Sequence, residues 1–132
     1  GPRLAGRRRE EFYVLPLDAR GRLLGPLAPS IAGAANSVVV RPGEAFREAI
    51  VQDAVSVVIA HNHPSGDPRP SPQDIVVTRG LIEAGTLLDI ELLDHIVIGA
   101  STFVSMRREG MAFGSAPARR GRAAERRPGE DP

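Results

Sequence analysis

Cysteine is absent from the 132 residues of this chain. That excludes a disulfide scaffold, a thiol nucleophile and a thiolate-held metal, and it fits a cytoplasmic protein. Lysine is absent as well: all 17 basic residues are arginine, so lysine-based mechanisms are excluded. Long apolar runs are missing, since stretches such as Val55 to Ala60 fall far below the roughly 18 residues of a membrane span. The N-terminus carries no apolar signal region, and a soluble protein without a membrane partner is expected. An excess of one charge is lacking too. The net charge is +1, too small for the broad basic field of a dedicated nucleic-acid binder.

What remains is ordinary for one packed domain: 42% hydrophobic and 25% charged residues. Gly1-Pro2 reads as a scar of tag removal, and residues 1–9 are assigned to that scar and a leader. The domain is expected over 10–113. Residues 114–132 carry Arg119, Arg120, Arg122, Arg126 and Arg127 with no large aliphatic or aromatic residue, so they read as a disordered arginine-rich tail. Glu125, Glu130 and Asp131 dilute its charge, leaving at most a weak, salt-sensitive hold on nucleic acid.

Hydrophobic patterning predicts a β-hairpin from Phe12–Leu17 through a turn at Asp18–Arg22 to Leu23-Leu24. Val38–Val40 reads as a further strand. Pro42 opens a helix whose Phe46, Ala49 and Ile50 recur at helical spacing up to Ala54. The β-branched run Val55–Ala60 predicts a central strand buried on both faces and ending at His61. Pro64, Gly66, Pro68 and Pro70 then forbid either a ladder or a helix. A second helix is predicted from Ser71, with Val77, Leu81, Ala84 and Leu88 as its buried stripe and Gly85 as its stop. Ile90–Ile98 and Thr102–Met106 complete a β-β-β-α-β-α-β-β order, an α/β or α+β fold around a central sheet.

The stretch from His61 to Asp74 carries the chemistry. Residues at i and i+2 of an extended backbone share a side, so His61 and His63 can converge on one point. Asp74 falls on the first turn of the following helix, where the helix dipole favours a carboxylate. Two imidazoles and a carboxylate form a ligand set of catalytic zinc sites, with the fourth position open for water. The same residues also make a good helix start: Ser71 suits the N-cap, Pro72 the first turn and Asp74 the capping box. The readings are compatible, because a serine hydroxyl can accept the Asp74 N–H while donating its own proton to an oxyanion. His95 is either a neighbour that hydrogen-bonds a ligand or a buried histidine satisfied by backbone groups. Asp94 and Asp67 read as loop or supporting residues.

The pattern His61-x-His63 followed by ten residues and Asp74, with Ser71 three before it, resembles the JAMM motif of MPN-domain metalloproteases. Embedded in His61-Asn62-His63-Pro64-Ser65-Gly66 and followed by Thr78, Leu81 and Leu93-Asp94-His95, it resembles the RadC-like branch, from about Glu10 through Met106. The resemblance implies an MPN/JAB-type mixed sheet flanked by helices, laid out as in cytidine deaminases. It implies Zn²⁺ on His61, His63 and Asp74, with Ser71 assisting at the oxyanion. It also implies an upstream glutamate as general base, which falls on Glu10 with Glu11 as the alternative. The implied activity is metallopeptidase cleavage of amide or isopeptide bonds in a peptide or protein substrate. A DNA-repair-associated or protein-interaction module without catalysis is the other reading, and the oligomeric state stays open.

Overall fold

The computed structural model describes residues 10–25, 29–32 and 41–114. The leader, the Val38–Val40 segment and the tail beyond Gly114 lie outside the described residues. In chain order the elements are β1 (Glu11–Leu17), β2 (Pro29–Ala32), α1 (Pro42–Val51), β3 (Ser56–Asn62), α2 (Pro72–Leu88), β4 (Glu91–Ile98) and β5 (Phe103–Ser105). Among the described residues the strands form one mixed sheet in the order β2-β1-β3-β4-β5. Only the β3–β4 pair is parallel, and α2 makes the crossover that such a pair requires. The result is the expected α+β fold with β3 at its centre.

Registers fix which side chains share a face. Phe12 lies opposite His61 and Val14 opposite Ile59, while on the other flank Ile59 meets His95 and His61 meets Val97. Phe12, Val14, Val57, Ile59 and Leu92 from that face join Phe46 and Ala49 of α1 and Leu81 of α2 in one buried cluster. Both helices therefore contribute to the core on the face that carries His61. On the opposite face of β3 the apolar Val58 and Ala60 are only half-buried, so for the apolar run the expectation of a strand buried on both faces holds for one face.

Other departures have local causes. The predicted hairpin turns at Asp18, whose carboxylate accepts the Arg20 and Arg22 N–H groups, but its second arm is a single Leu17–Leu23 bridge. The partner of β1 on that edge is β2, a pairing through the backbone. Helix α2 runs through Gly85 and ends at Asp89, which takes the left-handed conformation at φ 61°. Gly85 is there for space, since a Cβ would collide with the Ile90 carbonyl and stand 3.2 Å from Phe46. Strand β3 continues past its apolar run to include His61 and Asn62. Among the described residues no helix is long and apolar enough to cross a membrane.

Strand β4 contains the fold's most consequential irregularity. Val57 pairs with Leu92, but Val58 pairs with Asp94, so Leu93 is an extra residue in β4. Such a bulge reverses the facing of everything after it. Leu92 and His95, three apart in sequence, therefore both face the buried side. Asp94 stabilises the irregular backbone, with Oδ1 accepting the N–H groups of His95 (2.7 Å) and Arg107 (3.0 Å) and Oδ2 accepting the Ser105 hydroxyl. Arg107 Nε donates to the carbonyl of Leu93 itself.

Candidate metal centre

Three elements meet at the C-terminal end of β3. The strand delivers His61; His63 follows just past its end, held by its N–H donating to the Ile98 carbonyl at 3.0 Å. The start of α2 delivers Ser71 and Asp74 through a complete capping box: Ser71 Oγ accepts the Asp74 N–H at 3.1 Å, and Asp74 Oδ2 accepts the Ser71 N–H at 2.7 Å. Glu10 arrives from the residue preceding β1. The helix-cap reading of Ser71 and Asp74 holds, and the same two residues line one cavity with the histidines.

His61 Nε2 stands 3.5 Å from Glu10 Oε2 and 3.5 Å from Asp74 Oδ1, and His63 Nε2 lies 3.0 Å from Asp74 Oδ2. Ligand atoms of Glu10, His61 and His63 all fall within 4.8 Å of one another, a grouping that could hold a metal ion. Ligands about 2.0–2.1 Å from a tetrahedral ion sit roughly 3.3 Å apart, so these separations need little adjustment. The ring orientations fit too. His63 Nδ1–H donates to the Asp67 carbonyl at 2.9 Å, and His61 Nδ1 is engaged by His95 Nε2 at 2.9 Å, which turns both Nε2 atoms to the same point. Phe12 stacks on the His61 ring at 4.4 Å between centroids and 4° between planes, which restrains the plane of that ring.

The electrostatics favour a cation. Burial alone would raise the Asp74 pKa, but hydrogen bonds from His63 and the Ser71 N–H, with the imidazoles of His61 and His63 nearby, outweigh it and hold the carboxyl well below the usual range. His63 is raised, chiefly by its hydrogen bond to Asp74. Its proton on Nε2 is the one a metal would replace. These groups line a cavity of about 270 Å³ together with Phe12, Gln73 and Val77.

All five residues singled out from sequence, Glu10, His61, His63, Ser71 and Asp74, come together on this cavity. Glu11, the alternative to Glu10, is buried and does not line it. Asn62, between the histidines, accepts the Glu11 N–H at 2.7 Å through Oδ1 and so ties the start of β1 to β3. Its role was not read from the sequence, nor was that of Phe12; a polar residue between two histidines of the candidate site is the only signal that could have raised Asn62. His95 is satisfied by side chains, His61 and Thr78, rather than by backbone groups.

Comparison with known proteins gives the same direction. A family model for the RadC-like JAB domain matches residues 1–111. The chain is 52% identical over 104 residues to a UPF0758 protein of Roseiflexus castenholzii, covering 79% of this chain and 44% of that protein. It is 45% identical over 109 residues to a UPF0758 protein of Methanosarcina acetivorans (83% and 47% covered) and 47% identical over 103 residues to one of Desulforudis audaxviator (78% and 44%). It therefore spans less than half the length of these curated relatives. With the motif residues assembled on one cavity and the family model matching most of its length, the chain belongs to the RadC-like JAB domain family.

Proposed function

We propose that this site is a zinc centre and that the chain is a hydrolase of the metallopeptidase type, acting on amide or isopeptide bonds of a peptide or protein substrate. The observation that supports this reading is the convergence of Glu10 and Asp74 on the Nε2 atoms of His61 and His63 beside an open cavity. His61, His63 and Asp74 would hold the ion, leaving Glu10 next to it as the base. When bound, Zn²⁺ supplies Lewis acidity, polarising a carbonyl and bringing the pKa of water towards about 7.

The chain's own groups do the rest. Glu10 Oε2 accepts a proton from the attacking water and returns it to the leaving nitrogen, so the carboxylate ends the cycle as it began. Ser71 Oγ already accepts the Asp74 N–H through a lone pair, which leaves its single hydroxyl proton for donation to the oxyanion that develops on the carbonyl. Val77, half-buried at the cavity wall, offers apolar surface to the substrate chain beside the reacting bond. The test compares the zinc-loaded parent with Glu10→Gln on fluorogenic peptide and isopeptide substrates, with zinc content measured in both. The expected result is a loss of about 10²–10⁴-fold in turnover with zinc retained. Parent-like turnover by the variant would remove Glu10 from the mechanism.

A further inference from the structure

Behind His61 a chain of polar side chains runs through the core with no outlet to solvent. His61, Thr78 and His95 are all at most 1% exposed. His95 Nε2 lies 2.9 Å from His61 Nδ1, and His95 Nδ1 lies 2.7 Å from Thr78 Oγ1. Thr78 Oγ1 in turn donates to the backbone carbonyl of Asp74 at 2.6 Å.

The direction of this chain follows from its far end. A carbonyl oxygen can only accept, so the single hydroxyl proton of Thr78 goes to Asp74 O. Thr78 Oγ1 then faces His95 as an acceptor, and His95 Nδ1 must carry a proton. His95 is fully buried and its two ring nitrogens meet the Thr78 hydroxyl and the His61 ring rather than a carboxylate that could balance a charge, so the ring is neutral and its Nε2 is bare. A bare Nε2 accepts, and His61 Nδ1 must therefore be the donor. Each step uses a different side chain, and every one is set by the one before it.

We propose that Thr78 and His95 are positioning residues that lock His61 as its Nδ1–H tautomer and keep its Nε2 lone pair turned to the cavity. The bulge at Leu93 is what makes this arrangement available, because a regular β4 would place His95 on the opposite face of the sheet from His61. Asp94 holds that bulge and so belongs to the same device. The metal-holding role of the tautomer rests on the zinc centre proposed above; the tautomer itself does not.

The test uses the full chain with histidine rings labelled with ¹⁵N. In the metal-free protein, long-range ¹H–¹⁵N spectra should show His61 protonated on Nδ1, and His95 protonated on Nδ1 with a bare Nε2. A proton on His95 Nε2 with His61 Nδ1 bare overturns the proposal. Zinc titration then compares the parent with His95→Phe, which keeps the ring shape and removes the acceptor, and with His95→Gln, whose Oε1 can accept the same Nδ1–H. The expected result is a loss of about 10–100-fold in zinc affinity for the first and recovery of most of it in the second. Equal affinities in all three overturn the positioning role. A parent that takes up no zinc refutes the metal centre instead, and the spectra then decide the tautomer on their own.

Discussion

Adding one methyl group at Gly99 should loosen the whole loop that carries His63. A Cβ there would collide with the Gly66 carbonyl and stand 2.8 Å from Pro68 Cδ and 2.9 Å from Pro68 N, where ordinary contact begins near 3.4 Å. The loop must then retreat by more than about 0.6 Å, and its neighbours cannot absorb that: they are a peptide group and a proline ring rather than the tip of a flexible side chain. The Ala100 N–H bond to Gly66 O at 2.9 Å and the Asp67 carbonyl that orients His63 move with it. Overpacking of this kind costs about 1–3 kcal/mol. For a domain of this size about 2 kcal/mol corresponds to a fall of roughly 8–16 °C in melting temperature. Calorimetry of metal-free Gly99→Ala measures this, and zinc titration should show weaker binding through the displaced His63. Gly80→Ala is the control, since a Cβ at that helical position meets nothing within 4 Å. It should stabilise the protein by about 0.5–1 kcal/mol. A Gly99→Ala protein that melts at or above the parent temperature would refute the steric argument.

Two further expectations follow from protonation. Around pH 5 His63 is protonated and Asp74 ionised in both folded and unfolded chains, whereas His95, depressed from 6.5 to about 3, is protonated only when unfolded. The unfolded state then binds the extra proton, so metal-free stability should fall as pH falls from 6.5 towards about 4, by up to about 1.4 kcal/mol per pH unit from His95, with the depressed Asp74 adding to the slope below that. Urea unfolding across this window should show that slope in the parent and a flatter one in His95→Gln. The raised pKa of His63 works against zinc at low pH as well: the ion must displace a proton that Asp74 holds in place. Apparent zinc affinity should therefore drop by about tenfold per pH unit below the His63 pKa, and isothermal titration in buffers of different ionisation enthalpy should count the released proton.

The parts of this site legible in sequence are those set by local rules. His61 and His63 converge because the strand reaches past Ala60 and alternate residues share a side, and Ser71 and Asp74 face them because a capping box dictates the first turn of a helix. The central position of β3 followed from its β-branched run. Glu10 rather than Glu11 depends on the register of β1 against His61, and only the family resemblance pointed to it. Residues set by long-range packing were hidden. The bulge at Leu93 leaves no local signal, so nothing in Leu93-Asp94-His95 announces that His95 turns to His61 or that Asp94 holds that turn. Gly85 resembles a helix stop by composition, yet its conformation is helical and its small size serves the approach of Ile90 and Phe46. Strand β2 begins with a proline and exists through its pairing with β1, which no pattern within Pro29–Ala32 encodes.

The central claim is that His61, His63 and Asp74 hold a zinc ion, and metal content tests it most directly. Elemental analysis of the chain purified without added metal or chelator, beside His63→Ala and Asp74→Ala, should give about one zinc per chain in the parent and a loss in both variants. A parent that stays free of zinc even when the ion is supplied would contradict the claim and leave Ser71 and Asp74 as the cap of α2 alone.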